Sequence, residues 1–235
     1  MKIFIGQPGG FGDIIICAPI AKHYYDEGHE IYWPIGVEHL SLLQKFSYVT
    51  PLPLPNIALV NYPDSGESIF TSRMLMGKNL ADAMGAQYLN LGDRPVTPRL
   101  DGETVEEKKY RVGEVDFEKK YRLEWTRDED KENKLYEHVV SSHEYVFTHM
   151  HQSDKSYGSL PAEEIRDVVE CCPIPGYDIL DWYKVITNAQ AVYCIESSLQ
   201  CLVDALGKTI ENKYILSTKD GISTTTSRDW NRKYL

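Results

Sequence analysis

No run of apolar residues in this 235-residue chain approaches the roughly 20 needed to cross a bilayer, so no membrane-spanning helix is expected. The cysteine pattern of a disulfide scaffold or a structural zinc site is also missing. The five cysteines (Cys17, Cys171, Cys172, Cys194 and Cys201) are odd in number and contain no C-x-x-C pair, which fits a reducing compartment and a cytoplasmic protein. Positive charge is scarce: 25 Lys and Arg against 35 Asp and Glu leave a net charge of −10. Such a chain has no global attraction for nucleic acid or anionic membrane, so any anion it binds must be held by a local site. Internal repeats are absent by identity. Neither the dinucleotide fingerprint G-x-G-x-x-G nor the lysine and hydroxyl of a P-loop is present, and NAD or ATP binding of the standard kind is therefore not expected.

The clearest positive pattern lies in the first thirty-odd residues. Lys2 to Ile5 read as a buried strand that is too short for a signal peptide. A glycine-rich turn follows, Gly6-Gln7-Pro8-Gly9-Gly10-Phe11-Gly12-Asp13. The stretch from Ile14 to Tyr25 has helical spacing at Ile16, Ile20, His23 and Tyr24, with Pro19 placed early in the helix. Glu27-Gly28-His29 stops it, and Glu30 to Trp33 read as a second strand. Strand, glycine turn, helix and strand make one βαβ unit of a parallel sheet.

Further on, Pro51 to Pro55 mark loops, Ser72 to Met84 a helix, and Pro95 to Leu100 an extended segment. Asp101 to Lys134 mixes acids and bases and reads as a solvated linker with exposed helix. Within it, Asp128-Glu129-Asp130 matches the D-x-D form of metal sites, but acids at that place suit the first turn of a helix, and capping is the preferred reading. A second α/β half begins near Glu144. It has strands at Tyr145–Thr148, Ala191–Ile195 and Tyr214–Leu216, and helices at Pro161–Glu170, Ile179–Thr187 (capped by Asp178) and Leu199–Leu206. The fold expected is α/β: two compact Rossmann-like parallel-sheet domains facing across a cleft, residues 1–137 and 138–235.

In the first turn, glycines let the backbone approach a ligand closely. The helix start offers free N–H groups to it. Asp13 is either a helix cap or a general base at the carboxyl end of a strand, where open α/β sheets place ligands. His149 and His151 form an H-x-H pair at a strand end, with His143 nearby. They read as polar loop residues, or one of them as a neighbour of bound phosphates. Ser197 and Ser198 are helix caps or phosphate ligands.

Gly12-Asp13-Ile14-Ile15-Ile16-Cys17-Ala18-Pro19-Ile20, after a strand and a glycine loop, resembles the N-terminal motif of the heptosyltransferase family of glycosyltransferases (family 9-like, with the GT-B fold). The block from Ile186 to Lys208, with its turn Glu196-Ser197-Ser198 and its ending Ala205-Leu206-Gly207, resembles the family's donor site. Tyr145 to Thr148, with the polar loop holding Lys155, resembles the start of its donor domain. The pattern departs from the family at Glu196 for aspartate, at Cys201 for histidine and near Ser198 for glycine.

The resemblance implies an inverting, metal-independent glycosyltransferase with no cofactor beyond its nucleotide-sugar substrate. Asp13 would be the catalytic base. Lys155, Glu196, Ser197 and Ser198 would hold the donor and its phosphates. Gly9, Gly10 and Gly12 would shape the acceptor loop for a glycan or glycolipid. Heptose and lipopolysaccharide are not carried over. The other readings are a non-catalytic nucleotide- or glycan-binding module that has kept the fold, and an unrelated Rossmann-like hydrolase or epimerase.

Overall fold

The computed structural model describes residues 1–58, 65–92, 98–152, 155–156, 167–217 and 230–234. The chain divides into two units, Met1–Thr126 and Arg127–Leu235. The boundary thus falls before the expected 137/138. Helix α5, defined below, packs on elements of the second unit.

The first unit is built on the expected βαβ start. Strand β1 (Lys2–Gly6) leads through the glycine turn into α1 (Phe11–Asp26), and β2 (Glu30–Gly36) returns parallel to β1. A short α2 (Leu40–Leu43) precedes β3 (Thr50–Leu54), and α3 (Ser65–Ala83) leads to β4 (Gln87–Asn90). The sheet is parallel throughout, in the order β3-β2-β1-β4. Pro51 and Pro53, expected to mark a loop, instead lie in β3. They are tolerated because β3 is the edge strand, where missing N–H groups cost the ladder least. Pro19 sits well inside α1 rather than early in it.

Eight consecutive residues of α1, Ile14 to Ala21, are buried. A helix apolar on all sides needs cover on all sides. One side meets strand β2 of the sheet, where Trp33 and Ile35 are buried. The other is covered by α4 (Val105–Val112) and the 3-10 turn Phe117–Tyr121. The charged stretch from Asp101 is therefore not a solvated linker up to this point. Lys108, Lys109 and Lys120 are buried in it, Lys120 lying 3.7 Å from buried Glu106. Thr104 closes a capping box with Glu107 at the start of α4.

In the second unit, α5 (Glu129–Val139) is capped by Asp128, whose carboxylate accepts from Lys131 N–H. Strand β5 (Val146–His149) is followed by the small hairpin β6 (His151–Gln152) and β7 (Lys155–Ser156). Next comes β8 (Val168–Glu170), where the sequence suggested the end of a helix. The rest of that expected helix, 161–166, lies outside the described residues, as do residues 95–97 of the expected extended segment 95–100. Asp178 caps a 3-10 turn, Ile179–Trp182, which runs into α6 (Tyr183–Thr187). Then follow β9 (Ala191–Cys194), α7 (Ser198–Ala205), β10 (Lys213–Ser217) and β11 (Asn231–Tyr234). This sheet is also parallel, in the order β11-β10-β9-β5-β8. Its core includes Phe147, Val192, Leu202 and Ile215. Among the described residues, no helix is long and apolar enough to cross a membrane.

Candidate active site

In the first unit the glycine turn is tied down by side chains from three other elements. Trp33 Nε1 donates to the carbonyl of Gln7 at 2.6 Å, and Gln7 Nε2 donates to the carbonyl of Gly9 at 2.7 Å. Gly10, at φ +85°, is the N-cap residue of α1, and no side chain caps this helix. Asp13 is therefore not a cap. It stands in the first helical turn, where a carboxylate is favoured by the helix dipole. Its Oδ1 lies 3.0 Å from Lys109 Nζ.

Lys109 is 2% exposed and its ammonium has further acceptors, Gln7 Oε1 at 2.9 Å and the carbonyl of Leu91 at 2.7 Å. Three donors thus meet three acceptors. One lysine from the charged stretch fixes both the loop, through Gln7, and the Asp13 carboxylate.

Asp13 opens onto a pocket of about 370 Å³ whose floor is Gly9 and Gly10. Glu38, His39, Asn56 and Arg73 supply its polar wall, Ile69 and Phe70 its apolar wall. Arg73 is held by Glu38 in a two-pronged ion pair, with N···O distances of 2.6 and 2.9 Å. That pairing keeps the Glu38 carboxyl below its ordinary range. His39 Nε2 accepts the Gly10 N–H at 3.2 Å, and burial lowers its pKa, so the ring is neutral at pH 7. Cys17, beneath Asp13, is buried with its thiol pushed up to about 12 and is no nucleophile. A smaller pocket of about 170 Å³ beside the C-terminal half of α1 includes Lys22 and Lys119, already bonded to Asp26 and His23.

In the second unit the turn after β9 carries Glu196 and Ser197, both half-buried. Ser197 is the N-cap of α7, its hydroxyl accepting from Gln200 N–H at 3.3 Å, and Ser198 begins the helix. His149 Nδ1 lies 2.9 Å from the same hydroxyl. Burial, then the neighbouring His151, lowers the His149 pKa to about 4. The H-x-H pair does not act as a pair: His151 turns to Glu170, 2.8 Å away. Lys155 lies in the hairpin strand β7; the placement of its side chain is outside the described part of the structure.

The structure therefore gathers Gly9, Gly10 and Asp13 into one pocket, with Gly12 behind them in α1, and gathers Ser197, Ser198 and Glu196 at one helix start. Sequence reasoning missed Lys109, Glu38, His39, Asn56 and Arg73. No motif links them, and only the fold brings them to the glycine turn.

Two parallel-sheet units, each with a strand feeding a small-residue turn and a helix, place this chain in the α/β class of GT-B-like folds. Among solved structures, the whole chain matches a family 9 glycosyl transferase from Veillonella parvula DSM 2008, with a TM-score of 0.62, 10% identity and 85% of that chain covered. It is similar, over 100% of its length, to the E. coli ADP-heptose lps heptosyltransferase II, with a TM-score of 0.58, 12% identity and 90% of that chain covered. The E. coli heptosyltransferase WaaC with ADP also matches, with a TM-score of 0.56, 12% identity, and 100% of this chain and 93% of that one covered. No protein-family model and no curated protein matches the sequence. At these identities the likeness establishes the fold, and the resemblance read from the sequence is present in it.

Proposed function

We propose that this chain is a glycosyltransferase that moves a sugar from a nucleotide-sugar donor to an acceptor hydroxyl by direct displacement with inversion. It works in the cytoplasm, without a metal or a further cofactor. The observation that carries this reading is Asp13, which caps no helix, is anchored by buried Lys109 and opens onto a pocket at the carboxyl end of β1. The full-length fold likeness to heptosyltransferases, one of them solved with ADP, supports a nucleoside diphosphate donor.

The acceptor hydroxyl enters the pocket of the first unit. As its oxygen attacks the anomeric carbon, its proton passes to Asp13, and the bond from that carbon to the diphosphate oxygen breaks on the opposite face. A placed base contributes about 10²–10⁴-fold. The leaving diphosphate gains negative charge, which the N–H groups at the start of α7, the hydroxyls of Ser197 and Ser198, and the ammonium of Lys155 stabilise. Glu196 contacts the donor sugar or its ribose.

The test is a calorimetric screen against ADP-, GDP-, UDP-, CMP- and dTDP-linked sugars without added metal, followed by a transfer assay. Saturable binding of one donor, turnover that survives a chelator, and loss of turnover but not of donor binding in Asp13→Asn support the reading. A folded chain that binds no nucleotide sugar overturns it. Donor binding without turnover on any acceptor leaves a nucleotide-binding module instead.

A further inference from the structure

Resting on that reading, we infer that the pocket beside Asp13 takes an uncharged, hydroxyl-rich sugar and rejects acceptors that carry a carboxylate or phosphate at the ring. The pocket's ionic groups carry the inference. Arg73 is the one cationic side chain among the described residues that line it, and its side chain is only 5% exposed. Its fork is already filled by both oxygens of Glu38. Its Nε points to the carbonyl of Pro55, 3.5 Å away. The other cation nearby, Lys109, is buried behind Asp13 with its acceptors in place.

A ligand anion entering this pocket therefore meets Asp13 and Glu38, whose side chains are 39% and 48% exposed, before it meets any positive charge. To gain Arg73 it must displace Glu38, leaving one carboxylate unpaired in a confined space, a costly exchange. His39 offers no charge in compensation: its Nε2 lone pair is spent on Gly10 N–H.

What the wall does offer suits a neutral sugar. The carboxylate oxygens of Asp13 and Glu38 accept hydroxyl hydrogens. The Asn56 amide both donates and accepts. The half-buried ring of Phe70 and the side chain of Ile69 give an apolar strip for the C–H face of a pyranose. Glu38 is then a specificity-determining residue: it silences the one guanidinium that would select an acid.

The experiment is saturation-transfer NMR and titration of the full chain with matched methyl glycosides: methyl glucoside against methyl glucuronide, and methyl galactoside against methyl galacturonide. Wild type is expected to bind the neutral member of a pair about tenfold or more tightly, with transfer to that member once the donor is known. In Glu38→Gln, which frees Arg73, the preference is expected to shrink or reverse. Equal or tighter binding of a uronide by wild type overturns the inference, as does binding of neither member of both pairs. An unchanged ratio in Glu38→Gln removes the role given to Glu38 and overturns the inference as argued. Nucleotide-sugar binding is measured on the same samples. If it persists while the sugar preference fails, only this inference falls. If it is absent too, the glycosyltransferase reading falls with it.

Discussion

Lys109 Nζ lies 3.0 Å from Asp13 Oδ1 while also donating to Gln7 Oε1 and to the carbonyl of Leu91. The two ends of this ion pair are not equivalent. Lys109 is buried and Asp13 is 39% exposed. Removing the lysine leaves two buried acceptors unsatisfied, at about 1–3 kcal/mol. Replacing the carboxylate by an amide removes the charge but leaves an acceptor oxygen in its place, and the lysine keeps its other acceptors. Lys109→Met is therefore expected to lower stability in urea by about 1–3 kcal/mol. Asp13→Asn should lower it by less than about 1 kcal/mol, the scale of a partly exposed pair. Both lose turnover. An Asp13→Asn protein less stable than Lys109→Met would show that the buried network is not what holds this corner.

Gly10 adds a second test of the same corner. Its φ of +85° strains any residue with a Cβ, and that atom would meet Asp13 Oδ2 at 2.7 Å. Gly10→Ala is expected to cost about 1–2 kcal/mol for the left-handed backbone. It also pushes the carboxylate off its position. A displacement of about 1 Å at a reacting group costs on the order of 100-fold in rate. The transfer assay should show that fall in kcat with donor affinity unchanged, since the donor is assigned to the second unit.

The start of the first unit was readable from sequence because everything that makes it is local. A short apolar strand, a glycine turn and an apolar helix follow one another, and Asp13 lies inside that run. Elements that depend on their neighbours were read less well. The prolines of β3 signal a loop until its edge position is known. The charged text from Asp101 to Tyr121 has the composition of a solvated surface. It is buried because α1 is apolar on every side and needs a cover, and because its charges find partners such as Glu106 and Asp13. Strand β11 was not foreseen, since Asn231–Tyr234 carries no apolar alternation and is ordered by pairing with β10.

The site divides the same way. Ser197 and Ser198 were legible as a cap or a phosphate turn, and the cap is present. The wall of the pocket beside Asp13 was not, because Glu38, Asn56 and Arg73 are apart in sequence and meet only after β2, β3 and α3 are laid beside β1. Gly36 allows that meeting: a Cβ there would collide with the Arg73 guanidinium.

The hydroxyl of Ser197 serves two partners, Gln200 N–H and the ring of His149. This makes the second unit sensitive to acid. An unfolded histidine titrates near 6.5, whereas burial holds His149 near 4 in the folded protein. Between those values the unfolded chain binds more protons than the folded one, so stability is fully present above about pH 6.5 and falls as the pH drops toward 4. His149→Gln, which keeps a polar partner for Ser197 but cannot titrate, should flatten the fall in Tm between pH 6.5 and 4. Ser197→Ala should instead lower stability at every pH by about 0.5–2 kcal/mol through loss of the cap. It should also weaken nucleotide-sugar binding, because the N–H groups of the first turn of α7 lose their fixed orientation. A His149→Gln protein with the wild-type pH slope would show that the ring titrates normally in the folded state and that its burial beside Ser197 carries no proton linkage.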